Sequence, residues 1–250
     1  MYLNLKKNKL VKETNVKEPE VVDMPEVVDI VYEAAHDLKG SIRTIKSFTQ
    51  LLNSSLNDRF SEDEKGLVGF ILEATYNLEN LVAKLIDYSK AGLVLNIDEF
   101  KIDNLLQLVV LENRNLIKEK KATVLISCDE NLVVNADKSK LKILFENLLS
   151  NSLKFISKTE LPEIKINVLE NIDNIKICFI DNGIGISKNK IPIAFELFER
   201  IHGTTDYEGS RVGLAICKRI AEVHGGAISI NSEFDKFTEV NFTLPKKISN

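Results

Sequence analysis

Tryptophan is absent from the 250 residues, and Phe, Tyr and Trp together make up only 7%. Any core must therefore be built from aliphatic side chains rather than large rings. Cysteine is scarce: Cys128, Cys178 and Cys217 are odd in number, far apart and without metal-ligand spacing. That excludes a disulfide scaffold and leaves ordinary thiols in a reducing compartment. No apolar run approaches the ~18–20 residues that cross a bilayer. The N-terminus, MYLNLKKNKLVKETNVKEPE, has no apolar signal-peptide core. Excess basic charge is missing too: the formal net charge is −4 and the isoelectric point about 5.6, which argues against a general nucleic-acid binder. What remains is 44% hydrophobic and 28% charged residues, enough for a packed core. At roughly 100–200 residues per domain, the length suggests one or two domains. A cytoplasmic protein is expected, with neither membrane nor nucleic acid among its partners.

Four lysines (Lys6, Lys7, Lys9, Lys12) precede the first acid, and nothing apolar accompanies them, so residues 1–24 are expected to be a solvated tail or linker. PEVVD occurs twice, at Pro19–Asp23 and Pro25–Asp29, and Pro25 suits the first turn of a helix. A heptad follows. Val31, Ala35, Leu38, Ile42, Ile45 and Leu52 alternate spacings of four and three, with Thr49 at the weak place. After the polar stretch NSSLNDRFSEDE the pattern resumes at Leu67, Ile71, Ala74, Leu78, Leu81, Leu85 and Tyr88. Two such segments joined by a short loop predict a helical hairpin with supercoiled packing. One hairpin cannot enclose its own seam, so two chains are expected to pair into a four-helix bundle.

The period changes after Ala91-Gly92. Strand-like runs at Ala122–Ser127, Ile164–Leu169, Ile175–Ile180, Ala227–Asn231 and Glu239–Leu244 alternate with helical patterns at 103–118, 138–156 and 212–223. The fold class is α+β: a helical hairpin over 25–92, then a two-layer α/β sandwich over 93–246, and a short tail at 247–250. The turn-rich stretch 182–211 has little periodicity and is expected to be a functional loop.

Four constellations carry chemistry. His36, in AAHDLKGSI, follows the seam residue Ala35 by one position and should face solvent beside Asp37. An exposed imidazole next to a carboxylate can attack a phosphoryl group, although a single helical His is usually an ordinary surface residue. In ENLLSNSLKF, Asn147 and Asn151 lie four apart on one helix face, with Lys154 three further on. Amide oxygens suit Mg²⁺ and a lysine suits phosphate oxygens; two solvent-facing polar positions are the plainer alternative. DNGIGI ends an apolar strand: Gly183 and Gly185 permit close ligand approach, and the Asp181 carboxylate can accept from an exocyclic amine. A simple Asn-Gly turn would look the same. In EGSRVGLAI, Gly209 and Gly213 open a helix whose N-terminus favours phosphate. Between the glycine segments lies FELFER, where Phe195 and Phe198 can pack the loop down and Arg200 can reach a phosphate.

Taken together, in this order and spacing, these segments resemble the histidine kinases of two-component signalling, over about residues 25–246, and particularly their phytochrome-like branch. HDLK is similar to the phospho-acceptor box and NLLSNSLKF to the asparagine box. DNGIGI, FELFER and EGSRVGLAICKRIAEVHGG are similar to the first glycine, phenylalanine and second glycine boxes. The resemblance implies a homodimeric phosphoprotein that transfers the γ-phosphate of ATP to His36, assisted by Asp37, and then to an Asp of a response-regulator receiver domain. It implies that Asp181 binds the adenine amine, that Asn147 and Asn151 position Mg²⁺, and that Lys154, Arg200 and Arg211 face phosphates. Phe155, Gly183, Gly185, Gly209, Gly213 and Leu214 would shape the ATP site. ATPases of that fold usually place a water-activating Glu where this chain has Asn147, which favours transfer over hydrolysis.

Three departures stand out. Ser41 replaces a common Pro, so a helix kink is not required. Gly40 stands where dephosphorylating members carry Thr or Asn. Arg211 replaces a Gly of the second glycine box, and its cation either pairs with a phosphate or obstructs the lid; in the second case the chain would be a degenerate kinase serving as a dimeric scaffold or phosphotransfer protein. The ~25 residues before the bundle are too few for a sensory domain, so the input is expected from a separate protein or segment.

Overall fold

The computed structural model describes residues 24–56, 59–91, 95–156, 161–199, 201 and 212–246, with side chains described from residue 34 onward. Both expected tails, the side chains of the PEVVD repeat and Val31, and the whole of Arg200, Gly209 and Arg211 lie outside the described residues.

Helix α1 (Met24–Leu56) and helix α2 (Glu62–Ala91) form the hairpin. α2 starts on a capping box: the Ser61 hydroxyl accepts from the Glu64 amide, and the Glu64 carboxylate accepts from the Ser61 amide at 2.8 Å. α1 runs unbroken through Ser41, whose hydroxyl donates to the Asp37 carbonyl. Ala35, Ile42 and Thr49, spaced by sevens, are buried, as are Val68, Thr75, Val82 and Ser89 on α2, again spaced by sevens. The helices thus pack at a 3.5-residue period. The apolar stripe expected on α2 is split. Its seam partners to α1 lie one position further along, at Val68, Thr75 and Val82. Leu67, Ile71 and Leu78 instead face outward with Leu38, Ile45 and Leu52 of α1. An ion pair from Lys46 to Glu79, at 2.6 Å, ties the two helices together.

The rest is a sandwich. Strand β1 (Asp98–Lys101) pairs antiparallel with β3 (Val133–Ala136) in a small ribbon that the hydrophobic period did not reveal. Helices α3 (Ile102–Glu112) and α4 (Arg114–Glu119) replace the single helix expected over 103–118. The break falls at Asn113, whose side-chain amide donates to the Val109 carbonyl and so competes with the helix ladder. β2 (Thr123–Ser127), α5 (Lys138–Lys154), β4 (Glu163–Glu170), β5 (Asn174–Asp181), α6 (Gly213–Val223), β6 (Ala227–Glu233) and β7 (Phe237–Pro245) complete it.

The main sheet has the order β2-β4-β5-β7-β6; β2 and β4 are parallel and the remaining pairs antiparallel. Period-two alternation turns Ile164, Ile166 and Val168 inward on β4, and Val240, Phe242 and Leu244 on β7. Register aligns Ile166, Phe179 and Val240 in one cross-strand row. The helices cover this one face. Phe145 of α5 stacks on Phe179 of β5 with ring centroids 5.8 Å apart, and Leu141, Leu144, Ile216 and Ile220 fill in around them. The core is aliphatic with a few Phe rings, as the composition predicts. Among the described residues, no helix is long and apolar enough to cross a membrane.

Phe145 is fully buried at the centre of this layer. Phe145→Ala is expected to lower the stability of the sandwich by about 3–5 kcal/mol, read as a reduced urea midpoint with an unchanged slope; a shift below about 1 kcal/mol would place the core elsewhere.

Candidate functional site

The site gathers where α5, the end of β5 and the start of α6 meet. α5 starts on Asp137, whose carboxylate accepts from the Lys140 amide at 3.0 Å and the Ser139 hydroxyl at 2.6 Å. The helix then carries Asn147 and Asn151 one turn apart. Asn147 is only 5% exposed, so its amide cannot be an idle solvent-facing group. Its nitrogen donates to the Ile143 carbonyl at 2.8 Å, which turns its oxygen away from the helix. That oxygen lies beside Gly213, the first residue of α6, where an added Cβ would stand 3.0 Å from it.

Asp181 ends β5 and is buried. One carboxylate oxygen accepts from the Ser152 hydroxyl at 2.9 Å and the other from the Gly183 amide at 3.0 Å. Burial nevertheless dominates and pushes the carboxyl up to about 6, against the lowering effect of those hydrogen bonds. The chain after Asp181 is stapled on both sides. The Ile184 amide donates to the Phe155 carbonyl at 3.0 Å, and a Cβ on Gly183 would overlap that same carbonyl. Gly185 has φ +62° and abuts the Glu233 carbonyl, a conformation and an approach open to glycine alone. The Ile186 amide donates to the Ser232 hydroxyl, and the Asp235 amide to the Ile184 carbonyl. DNGIGI is therefore a rigid wall rather than a loose turn.

Phe155 caps α5, and its ring lies 4.7 Å from the Lys154 ammonium. Leu214 is half-buried against the core. Of the FELFER residues, Leu197 packs against the core and Phe195 is half-buried, but Phe198 is exposed with φ +64° and does not hold the loop down. Arg200, Gly209 and Arg211 fall outside the described residues. His36 and Asp37 stand on the open face of α1 rather than in this group. The His36 side chain is 75% exposed, and Nδ1 lies 3.6 Å from the Asp37 carboxylate. Gly40 has open space around it.

Three participants escaped sequence reasoning. Ser152 holds Asp181, although it sits inside the quoted NSLKF. His224 is fully buried; its Nδ1 lies 2.7 Å from the Ile220 carbonyl and its Nε2 accepts from the Asp137 amide. Its burial moves the imidazole below its ordinary range, consistent with a neutral ring. Lys84 of α2 donates to the Asn147 oxygen at 2.6 Å. No local motif marks it.

Chemically, the site offers a buried carboxylate that only accepts, buried glycine turns packed beside it, and an amide oxygen beside a helix start. A carboxylate suits an exocyclic amine, and an amide oxygen suits a hard cation. The Lys84 ammonium on Asn147 is a stand-in cation, so that oxygen does attract positive charge.

Residues 136–248 match the family described as histidine kinase-, DNA gyrase B- and HSP90-like ATPase. Over 221 residues the chain is 30% identical to cyanobacterial phytochrome A of Nostoc sp. strain PCC 7120, covering 88% of the chain and 28% of that relative. It is 31% identical to the methanogenesis regulatory histidine kinase FilI of Methanothrix harundinacea, covering 88% and 25%. The sensor histidine kinase WalK of Bacillus subtilis is 27% identical, covering 93% and 39%. The chain thus spans between a quarter and two fifths of these relatives' length. In fold it is similar to full-length ShkA in complex with AMPPNP, with a TM-score of 0.67 at 20% identity, covering 90% of this chain and 46% of that one. It is also similar to histidine kinase ThkA in complex with the response regulator TrrA, with a TM-score of 0.64 at 22% identity, covering 90% and 64%.

Asp181→Asn is expected to weaken ATP binding by at least about tenfold at pH 7.5, by removing a charged acceptor. With the carboxyl raised to about 6, protonation at lower pH makes the wild type resemble the amide. The wild-type advantage should therefore shrink as pH falls through about 6. Calorimetry at pH 7.5 and 5.5 checks this, and a constant ratio would count against the role.

Proposed function

We propose that this chain, a member of the histidine kinases, moves the γ-phosphate of ATP onto His36 and passes it on to an Asp of a response-regulator receiver domain. The observation that carries the reading is the pairing, in one chain, of an exposed His36–Asp37 on a helical hairpin with a buried Asp181 acceptor backed by glycine-walled loops.

Asp181 would accept from the adenine amine, and Ser152 and Gly183 hold its carboxylate in place for that. Asn147 would hold Mg²⁺, with Asn151 one turn further along α5 and the α6 N-terminus beside it; Lys154 would meet phosphate. The metal, when bound, neutralises phosphate charge. His36 presents a nitrogen lone pair to the γ-phosphorus. A nitrogen–phosphorus bond forms, the bond to the bridging oxygen breaks, and ADP leaves. The ring proton becomes more acidic as that bond forms, and Asp37 is placed to take a share of it, the 3.6 Å gap closing as charge develops. Asn147, standing where related ATPases carry a water-activating acid, leaves water without a base. Positioning and charge neutralisation then supply most of the catalysis.

The outward stripe of Leu38, Ile45, Leu52, Leu67, Ile71 and Leu78 is exposed along the hairpin, with Phe48 and Phe70 beside it. Contiguous apolar surface of this kind marks an interface. A second copy would cover it and close a four-helix bundle. The domain bounds are read as a hairpin over 25–92 and a catalytic domain over 93–246.

Incubation with radiolabelled ATP should yield acid-labile, base-stable label. His36→Gln is expected to abolish that label and leave ATP affinity within about twofold; a fully labelled variant would end the assignment of His36 as acceptor, and an unlabelled wild type would favour the scaffold alternative. The wild type should sediment as a dimer at micromolar concentration, and Ile71→Lys should shift it to monomer by setting a charge in the closed seam. A monomeric wild type would refute the bundle.

A further inference from the structure

The contact between Lys84 and Asn147 joins the hairpin to the nucleotide site, and nothing in the proposed chemistry uses it. The Lys84 ammonium donates to the Asn147 side-chain oxygen at 2.6 Å. Because the Asn147 nitrogen is committed to the Ile143 carbonyl, its orientation is set and this oxygen is the side chain's outward acceptor. The contact does not stand alone. The Lys140 ammonium donates to the Lys90 carbonyl at 2.8 Å, and the Arg219 guanidinium of α6 lies 5.1 Å over the Tyr88 ring. Leu81 and Tyr88 are half-buried against the sandwich core. Lys84 thus lies between Leu81 and Tyr88 on one docked face of α2, with its charged end delivered to the one buried amide of the asparagine box.

We propose that Lys84 is an autoinhibitory latch: an internal cation that occupies the Asn147 oxygen and holds the catalytic domain against the hairpin until magnesium nucleotide displaces it. The inference rests on the reading of Asn147 as a metal ligand. Mg²⁺ binds oxygen at about 2.0–2.1 Å and is reluctant to shed its own shell. An ammonium 2.6 Å from the same oxygen would stand within a few ångströms of a divalent ion, and like charges at that range exclude each other in a half-buried setting. The two occupants are therefore alternatives. By linkage, metal nucleotide loosens α2 from α5 and α6, and whatever draws α2 away raises the affinity for metal nucleotide by the same factor. A signal twisting the hairpin would then reach the active site through one side chain.

The test uses the full 250-residue chain and AMPPNP, with the Mg²⁺ concentration for half-maximal binding as readout, plus AMPPNP affinity in EDTA. Lys84→Met is expected to lower the half-saturating Mg²⁺ about tenfold, the scale of one charged hydrogen bond, and to leave the metal-free affinity within about twofold. Lys84→Gln, which keeps a donor but not the charge, should move the same way, separating charge from packing. An unchanged or raised Mg²⁺ requirement in both variants overturns the latch. So does loss of affinity with and without metal, which would make Lys84 a phosphate ligand instead. Asn147→Ala tells the two levels apart. If it raises the Mg²⁺ requirement while the Lys84 variants do nothing, the metal reading stands and the latch falls. If it leaves the requirement unchanged, the metal assignment fails and the latch fails with it.

Discussion

Asp181 ends a strand whose inward residues are Ile175, Ile177 and Phe179, and burial there opposes its charge. The rest of the site is arranged around keeping that carboxylate where it is. A carboxyl raised from 3.8 to about 6 by burial binds its proton more tightly in the folded state. Its contribution to stability is full below its ordinary value and is lost as pH climbs through about 6. Near neutral pH the fold therefore carries an ionised acid at a cost. Ser152 and Gly183 offset part of it, and a ligand amine would offset more. That is what the proposed adenine contact would supply, and the wall behind Asp181 is built to hold its carboxylate in place. Gly183 and Gly185 press against the Phe155 and Glu233 carbonyls, closer than any side chain allows.

The hairpin obeys a different constraint. Its internal seam is thin: Ala35, Thr49, Thr75 and Ser89 alternate with Ile42, Val68 and Val82. The buried hydroxyls bond back to their own helices, Thr49 to Ile45, Thr75 to Leu72 and Ser89 to Ile86, so they satisfy themselves without gluing α1 to α2. Small and polar seam residues bring the helices close but bury little apolar area. The larger residues point outward, which is the opposite of what a self-sufficient hairpin would do. The proposed second copy answers that imbalance.

Much of this was legible in the chain. Period-two runs located β4, β5, β6 and β7 to within a couple of residues, because each alternates against one covered face. The asparagine segment announced itself as polar positions on an otherwise buried helix. What stayed hidden depends on tertiary partners. Ser152 meets Asp181 across 29 positions, and nothing near either of them marks the pair. β1 and β3 are four-residue strands with their apolar residues split between them, too short for a period. The α3–α4 break arises from one Asn competing for a backbone carbonyl. Heptad spacing found the apolar positions of α2, but it could not divide them between the seam with α1, the exposed outer stripe and the docked sandwich.

The docked part of α2 and the chain just after it meet α5 at separate places. Near the end of α2, the Lys90 carbonyl takes the Lys140 ammonium, and a few residues on the Asn96 amide donates to Asp137 at 3.0 Å. Asp137 also caps α5, and its amide donates to buried His224 just past α6. Burial alone would raise the Asp137 carboxyl, but donors from Ser139, Asn96 and Lys140 outweigh it and hold the group below its ordinary value, so it stays an acceptor at neutral pH. The chain leaving the hairpin is therefore pinned to the starting end of α5, while Lys84 touches the same helix further along at Asn147. Two attachments on one helix, separated along its length, would let α2 act on α5 as a lever in the proposed latch. With the Asp137 end fixed, a small rotation of α2 would be felt at Asn147, where one ammonium meets one amide oxygen, and at the Tyr88 ring beneath Arg219.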